Sequence, residues 1–579
     1  MWAVNGRPRT GPLFDTMRKT RAKFKSVLRA CKRDEGQARA DALANNLTQG
    51  GLRKFWNSVS ATRSCPLPTN VGGCSGHDNI ADMWKNHYEK LLNSVSNCND
   101  KHFVLSSLNK IDFHKDMVVT VDEITRCVTM LEKGKASGKD GLAAEHLIYA
   151  SPILYILLSL CFSSFFIHGY LPETFMYATI WPIVKDKSKD ITSADNYRPI
   201  AIVTALSKTL ELCILHRIYS FIETSALQFG FKSKHSTDMC IFVLKEIIDF
   251  YKRQNSPVFL CFLDATKAFD RVNHWTLFRK LINRNIPLFI IRILQYWYSK
   301  QLFFVHWASA DSNPFQVSNG VRQGSVLSPK LFAIYVDELS SKLQCAGVGC
   351  YLANCIMNHL FYADDLALIC PSVKALRKLI DICEHYGTEH DILYHTDKTE
   401  CMAIFPKSWK QDRIPNVYLY GKSLKFVSSK KYLGYIMSST GMDDADIQRQ
   451  LRSFYARANF IVRNFGQCSQ KVKCVLFKSF LYSVYCLNVW CNFSAKQMSK
   501  LRIAYNNAMR LIFDLKRDVS ISHNFVTKNI FNFASLHRRL LFAFCNRLSV
   551  SDNPVIRTCV QSDSYFHSAF WKYCRKVLY

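Results

Sequence analysis

Acidic residues are scarce in this chain relative to basic ones. Asp and Glu number 45 against 76 Lys and Arg, which gives a formal net charge of +31 over 579 residues. Such an excess disfavours basic partners and favours a polyanion. It is concentrated in two blocks, residues 1–60 with 13 basic and 4 acidic side chains and residues 447–517 with 13 basic and only Asp514. The pattern favours a nucleic-acid clamp, and a merely solvated basic surface is the alternative.

Paired cysteine motifs are also missing. None of the 22 cysteines forms a C-x-x-C pair, and the start, "MWAVNGRPRTGPLF", has no apolar core of a signal peptide. We therefore expect an intracellular chain with reduced thiols. Two looser sets lack zinc-finger spacing: Cys345, Cys350, Cys355 and His359; and Cys559, His567 and Cys574. For the second set, a zinc knuckle remains an alternative.

Long apolar runs are few. The longest candidate for a membrane span is "SPILYILLSLCFSSFFIHGYLP", residues 151–172, which includes four serines and ends at Gly169 and Pro172. It is at the short limit for a span. We therefore predict a buried helix that stops at Gly169. The sequence shows no internal repeat and no low-complexity tract.

The middle of the chain alternates apolar helical patterns with short β-rich runs. "VFLCFLDA" (258–265) and "HLFYADDLALIC" (359–370) are the clearest strands, and helices are predicted between and after them. Strands that carry acids, with helices beside them, predict an α+β sheet domain. The pattern from 445 to 517 is helical and basic.

Three carboxylates fall at the ends of apolar runs. Asp364 and Asp365 interrupt "FYADDLALIC", and Asp264 ends "VFLCFLD". An ionised carboxylate buried without a partner is costly. If the two strands are adjacent, the three acids converge, and no Arg near them in sequence compensates them. Hard oxygen ligands select Mg²⁺ or Mn²⁺, so we predict a metal site; an exposed β-turn is the alternative.

The segments around these acids resemble, in order, those of the reverse transcriptase of non-LTR (LINE-type) retrotransposons. The resemblance spans about residues 115–515. The matching segments are "LEKGKASGKDGLAAEHL" (131–147), "IWPIVKDKSKDITSADNYRPIAIVTALSKTLELCILHRI" (180–218), "QFGFKSKHSTDMCIFVLKEII" (228–248), Asp264 with "AFDRV", "GVRQGSVLSPKLF" (320–332), "FYADD", "HTDKTE" (395–400) and "KKYLGYIM" (430–437).

The resemblance implies roles for individual residues. Asp264, Asp364 and Asp365 would be the catalytic metal ligands, and Lys398 would protonate or stabilise the leaving pyrophosphate. Phe269 would exclude a ribose 2′-OH, and Asp270 would be structural. The remaining residues that the resemblance places against nucleotide are Lys185, Arg198, Gln323, Gly324 and Tyr362. Those that it or the basic pattern places against primer or template are Lys431, Tyr432, Lys471, Lys473 and Lys478.

Motif B, "GVRQGSVLSPKLF", carries two further expectations. Gly320 and Gly324 would let the backbone pass close to base pair and template. Ser328 and Pro329 would start the following helix as its cap and first-turn proline.

The implied fold is a right-hand polymerase with an antiparallel sheet and a helical thumb. Its predicted parts are a basic helical extension (1–60), a linker (61–114), fingers and palm (115–405), a primer-grip hairpin region (406–444), a thumb (445–520) and a C-terminal helical extension (521–579). The implied partners are an RNA template, a DNA primer or target and dNTPs, with two Mg²⁺ ions, or Mn²⁺, as cofactor. The family would place the chain in the nucleus at least during integration.

Two departures from the family leave alternatives open: the missing endonuclease features, and the lack of a zinc knuckle's close cysteine pair near Cys559, His567 and Cys574. The residues before the polymerase segments hold no acidic and His clusters of an endonuclease, so we expect a copy without that domain. One alternative is a polymerase-inactive remnant that only binds nucleic acid. The other is a maturase-like, intron-encoded reverse transcriptase.

Overall fold

A computed structural model describes residues 6, 8–48, 51–61, 67–109, 111–353, 355–406, 408–409 and 414–579. The chain forms two compact units. The first, the helical unit, comprises Met1–Pro66, Met442–Asn546 and Tyr573–Tyr579; the second, the sheet unit, comprises Leu67–Gly441 and Arg547–Lys572. Residues 62–66 and 110 of the predicted linker, and 407 and 410–413 of the predicted primer-grip region, lie outside the described residues.

The basic N-terminal block is helical. It forms α1 (Pro12–Thr48) and α2 (Gly51–Ala61), which pack together within the helical unit.

The predicted linker is wrong for most of residues 67–109, which form packed structure. They include β1 (Asn70–Val71), β2 (Cys74–Ser75), α3 (His77–Leu92) and α4 (Lys101–Leu108). Ile80, Trp84 and Tyr88, spaced four apart, are buried on one face of α3. The turn residues before α3 indicated a linker, but this apolar stripe drives the helix into the core.

The next segments form a helical layer: α5 (Val121–Thr129), α6 (Ala144–Ile148) and α7 (Pro152–His168). Helix α7 corresponds to the predicted buried helix. It is capped by Ser151 and ends at Gly169, which adopts the left-handed conformation at φ +68°. Only one face is buried, because Leu157 and Leu160 are exposed. No helix among the described residues is both long and apolar enough to cross a membrane.

A first sheet follows. Its strands run in the order β4-β3-β6-β7, with β8 also paired to β6, and α3 packs against β6. The elements over this part of the chain are β3 (Tyr177–Val184), β4 (Tyr197–Val203), α8 (Ala205–Ile218), α9 (Thr237–Arg253), β5 (Val258–Leu263), α10 (His274–Asn283), α11 (Leu288–Lys300), β6 (Leu302–Trp307), β7 (Ala310–Asp311) and β8 (Phe315–Gln316).

The second sheet carries the acids. Its order is β11-β12-β5-β13-β16, with antiparallel neighbours except for the parallel pair β13 and β16. The elements are α12 (Ser328–Cys345), β9 (Tyr351–Leu352), β10 (Cys355–Ile356), β11 (His359–Tyr362), β12 (Asp365–Cys370), α13 (Val373–Glu389), β13 (Glu400–Ile404), β14 (Tyr418–Leu419), β15 (Lys422–Ser423), β16 (Lys425–Phe426), β17 (Ser429–Tyr432) and β18 (Tyr435–Ser438).

The remaining elements are helical. In the helical unit, α14 packs against α15 and α16. The ranges of all the remaining helices, of which α19 lies in the sheet unit, are α14 (Asp444–Phe465), α15 (Gln470–Leu481), α16 (Ala495–Phe513), α17 (Ile521–Thr527), α18 (Phe533–Ser549), α19 (Pro554–Gln561) and α20 (Ala569–Leu578). The α+β prediction is confirmed. The single strand predicted over 359–370 is instead a tight hairpin of two strands.

Candidate active site

The three acids lie at one edge of the second sheet. Strand β12 pairs with β5 so that Leu366 faces Leu263, which places Asp365 and Asp264 at the next position of each strand. Asp364 lies in the two-residue turn between β11 and β12, after Ala363 at φ +60°. The acids therefore interrupt no buried strand: Asp364 sits in the turn, and Asp365 is the exposed first residue of β12.

Protein cations only partly compensate these carboxylates. Lys398 Nζ lies 3.7 Å from Asp264 Oδ2, and the Asp264 side chain is 42% exposed. The loop that carries Lys398 is fixed to the same residue, because the His395 N–H donates to the Asp264 carbonyl at 2.8 Å. The Asp264 N–H in turn donates to Thr399 Oγ1 at 3.3 Å.

Burial and mutual repulsion raise the pKa values of the paired acids. Burial, followed by repulsion from Asp264, raises the pKa of the Asp364 carboxyl, which Arg198 partly offsets. Desolvation by surrounding protein and repulsion from Asp364 and Asp264 raise the pKa of Asp365 to about 6. A site where carboxylates repel one another is one that a divalent cation would stabilise.

The donor chemistry of the site fits such a cation, because every acidic side chain offers hard oxygen ligands. The side chains do not stand in ligand geometry, however. Over the parts of the chain that the structure describes, no group of three or more His, Cys, Asp or Glu side chains is arranged to hold a metal ion.

Asp264 and Asp364 face a cavity of about 990 Å³. Most of the residues predicted to contact nucleotide or to act in catalysis line it: Lys185, Arg198, Asp264, Phe269, Gln323, Gly324, Asp364 and Lys398. Lys185 Nζ donates to the Asp195 carbonyl at 2.9 Å. Burial and then the charge of Lys267 lower the pKa of Lys185. The cavity wall therefore combines acidic side chains with cationic ones.

Phe269 forms part of the same wall. Its ring stacks on Phe332 at 4.3 Å between centroids and meets the edge of Phe231 at 5.9 Å. The next residue, Asp270, is buried and accepts a hydrogen bond from Gln323 Nε2 at 2.7 Å. Burial raises the pKa of Asp270 to about 6.

Gly324 allows a close approach between motif B and the first sheet. Its φ is +114°, and a Cβ there would lie 2.8 Å from the Ala201 carbonyl oxygen. The adjacent Gln323 carbonyl accepts the Ala201 N–H at 2.7 Å. Gly320 likewise faces the Asp270 carbonyl at 2.8 Å. The backbone atoms nearest to both glycines are protein carbonyls, so each position permits a close approach of two protein segments.

Known proteins resemble this chain along most of its length. The reverse transcriptase (RNA-dependent DNA polymerase) family profile matches residues 184–437. The RNA-directed DNA polymerase from mobile element jockey of Drosophila funebris is 26% identical over 512 residues, covering 82% of this chain and 54% of that protein. The probable RNA-directed DNA polymerase from transposon X-element of Drosophila melanogaster is 24% identical over 515 residues, again covering 82% and 54%.

The chain matches the reverse transcriptase family over residues 184–437 and is similar to RNA-directed DNA polymerases of mobile elements. It spans about half the length of the curated relatives that it matches. Among solved structures, apo telomerase from Candida tropicalis is similar with a TM-score of 0.36 and 13% identity, covering 91% of this chain and 88% of that one.

Not every predicted contact residue lines this cavity. Asp365 and Tyr362, paired across the hairpin, are not among the residues that line it. Lys431 is exposed on β17. Tyr432, predicted to bind nucleic acid, is 4% exposed, with its ring 5.0 Å from Phe262. That prediction is wrong, because the alternation along β17 turns Tyr432 into the core.

One thumb lysine is also corrected. Lys471 on α15 is exposed and Lys478 is half-buried, but Lys473 is only 8% exposed. Lys473 shares a face with the buried residues Phe477 and Leu481, four and eight positions later. This spacing puts the base of its side chain on the packed side of the helix. Lys473 therefore offers much less surface to nucleic acid than Lys471 does.

Helix α3 supplies cavity residues that the sequence reasoning missed. His87, Tyr88 and Leu91 all line the cavity. They precede every polymerase motif, and only the apolar spacing of α3 could have indicated a packed helix there. Motif B also starts its helix differently from expectation, because Leu327 occupies the cap position and Ser328 is the first helical residue.

Proposed function

We propose that the chain is an RNA-directed DNA polymerase that extends a DNA 3′-OH on an RNA template. The observation that carries the proposal is that Asp264 and Asp364 face one cavity with Lys185, Arg198 and Gln323. A cavity lined by both acids and cations suits a reaction in which a triphosphate is bound and a hydroxyl is activated. In that reaction the primer 3′-oxygen forms a bond to the α-phosphorus, and the bond to pyrophosphate breaks.

Asp264, Asp364 and Asp365 are the proposed ligands of two Mg²⁺ ions, or of Mn²⁺. When bound, such ions activate the attacking hydroxyl and stabilise the leaving phosphate. The raised pKa of Asp365, about 6, supports this role. Desolvation and repulsion from Asp364 and Asp264 disfavour its carboxylate, and a bound cation would stabilise that carboxylate.

The cationic side chains have roles that follow from their charge. Lys185 and Arg198 would bind the triphosphate of the incoming nucleotide. Lys398, beside Asp264, would donate a proton to the departing pyrophosphate or stabilise its charge. Gln323 and Gly324 would position the nucleotide, with Tyr362 at the end of the hairpin nearby.

Phe269 is the proposed gate against ribonucleotides. Its ring is stacked on Phe332, which fixes the ring plane. A fixed ring beneath the sugar excludes a 2′-OH by steric repulsion and admits a 2′-hydrogen.

Nucleic acid would be bound mainly through phosphates. The formal charge of +31 supports this, as do the exposed positions of Lys431 and Lys471 and the half-buried position of Lys478. The substrates would be an RNA template, a DNA primer or target and dNTPs. A chain that copies an element into a genome would act in the nucleus at least during integration.

Extension of a labelled DNA primer on an RNA template by the purified chain, with Mg²⁺, tests the proposal. Asp264→Asn is the matched control for contaminating polymerases. A chain that binds the template–primer but adds no nucleotide would support the inactive remnant. Stimulated splicing of a bound intron without comparable extension would support the maturase-like alternative.

A further inference from the structure

The turn that carries Asp364 is held by a single buried side chain. Gln228 is 2% exposed, and its Oε1 accepts the Ala363 N–H at 3.0 Å and the Gly230 N–H at 2.8 Å. Its Nε2 donates to the Ala363 carbonyl at 3.3 Å. Both polar groups of the Ala363 backbone are thus bound to one carboxamide.

This turn needs such a clamp because of its conformation. Ala363 has a φ of +60°, a left-handed backbone conformation that residues other than glycine adopt only where the surroundings impose it. Gly230 permits the approach, since a Cβ there would lie 2.2 Å from the Ala363 nitrogen. The loop backbone continues the contact: the Phe361 N–H donates to the Leu227 carbonyl at 2.9 Å, and the Phe229 N–H donates to the Phe361 carbonyl at 2.8 Å.

The same loop is bound on its other side by a segment from the far end of the chain. Residues Arg547–Lys572, here called the returning segment, belong to the sheet unit although the helical unit precedes them in sequence. Within this segment, Asn553 Nδ2 donates to the Ala226 carbonyl at 2.9 Å and lies 2.9 Å from His235 Nε2.

A second contact fixes the end of the loop. Arg547 Nη2 lies 2.6 Å from Asp238 Oδ2, and its Nη1 donates to Ser236 Oγ at 3.1 Å. Asn553 is 4% exposed, so its amide bonds are shielded from water. His235 Nδ1 lies 2.8 Å from the Ser233 carbonyl, which leaves Nε2 as the acceptor for Asn553.

We infer that Gln228 is a positioning residue for Asp364 and that the returning segment holds Gln228 in place through Asn553. Ala226, which Asn553 binds, lies two residues before Gln228, and Leu227 between them binds the catalytic hairpin. The segment after the helical unit is therefore part of the active-site support rather than an independent extension. The inference deepens the proposed polymerase function and rests on it for the identity of the reaction.

The sharpest variant is Asn553→Ser. Asn553 also caps α19, where its Oδ1 accepts the Val555 N–H at 2.8 Å. Serine retains a capping oxygen but has no amide to reach Ala226 or His235. Arg557→Ala is the matched control, because Arg557 lies in the same helix and, among the residues that the structure describes, its guanidinium donates only to the nearby Asp552 carbonyl.

Amide hydrogen exchange of the full chain without substrate is the first readout. We expect exchange in residues 359–364 to accelerate about tenfold in Asn553→Ser and more in Gln228→Leu, with strand β5 and the Arg557→Ala control unchanged. Unchanged exchange at 359–364 would overturn the inference, as would equal acceleration in β5, which would mean a general loss of stability.

Primer extension is the second readout. Asn553→Ser should lower kcat about tenfold while leaving KM for dNTP near its original value. The double variant with Gln228→Leu should be no slower than Gln228→Leu alone, because both act through one path; multiplied effects would overturn that path. The exchange results could be as expected while the wild-type chain extends no primer. That outcome would support the positioning contact and refute the polymerase function.

Discussion

Two regions that were predicted from residue type differ in how the structure places their residues: the acidic corner, which is the sheet edge with Asp264, Asp364 and Asp365, and the basic face of α15. At the corner, Asp264, Asp364 and Lys398 line one cavity. On α15, Lys471 is exposed but Lys473 is buried among the apolar residues that hold the helix unit together. Register explains the difference. A strand end next to a paired neighbour fixes where its acid must lie, whereas a run of lysines on a helix says nothing about which side is packed.

The largest expected effect concerns the corner. Asp264→Asn or Asp364→Asn should lower primer extension by on the order of 10³-fold, since each removes a charge at the reacting centre. Template–primer affinity should stay close to the original, because most of the +31 charge lies elsewhere. Single-turnover extension and filter binding measure the two. Variants that extend at the original rate would mean that the corner is not the reacting centre.

The sequence predicted the strands that carry the acids of this corner, but it did not predict the contacts of Gln228 and Asn553 that hold the turn. The apolar runs that end in Asp264 and precede Asp364 indicated adjacent strands, and β5 and β12 are indeed neighbours. The β-turn was considered only as an alternative, because Ala363 is not a typical turn residue: its left-handed φ of +60° is held by Gln228 from another part of the chain. Contacts between residues far apart in sequence, such as Asn553 with Ala226, leave no local pattern to read.

A buried acid in the cavity wall should make stability depend on pH. Folding raises the pKa of Asp270 from an ordinary 3.8 to about 6, so the folded state holds this proton more tightly than the unfolded state. Ionised Asp270 therefore destabilises the folded state. This destabilisation is absent below about pH 4, where the carboxyl is protonated in both states. It grows as the pH rises towards 6 and stays constant above, and the shift of roughly two pKa units corresponds to about 3 kcal/mol.

Asp270→Asn should remove that slope, because an amide oxygen still accepts the bond from Gln323 and does not titrate. Urea unfolding of both proteins between pH 4 and pH 8 measures it. The variant should gain stability over the parent as the pH rises. Parallel pH profiles for the two proteins would show that Asp270 keeps an ordinary pKa.

Substitution of Phe269 distinguishes two roles for its ring: a steric gate against ribonucleotides, or core packing alone. Phe269→Val should raise the ratio of kcat/KM for a matched rNTP over dNTP by about 10²-fold, since a smaller side chain leaves room for the 2′-OH. The stack on Phe332 would also be removed, and truncation of core aromatics costs about 3–5 kcal/mol when they only pack. Single-nucleotide incorporation in a variant shown to be folded decides: an unchanged ratio means that Phe269 only packs.

The smallest expected effect returns to α15, where the two kinds of lysine can be compared directly. Lys471→Gln with Lys478→Gln removes charge from the exposed and half-buried positions. The double variant should flatten the dependence of log K on log salt for template–primer binding by about two units, roughly one for each phosphate that is no longer neutralised. Lys473→Gln removes the same charge from a position that is 8% exposed and should leave the slope unchanged. Equal slopes for all three proteins would mean that α15 does not contact nucleic acid, and a flatter slope for Lys473→Gln would mean that α15 repacks when it binds.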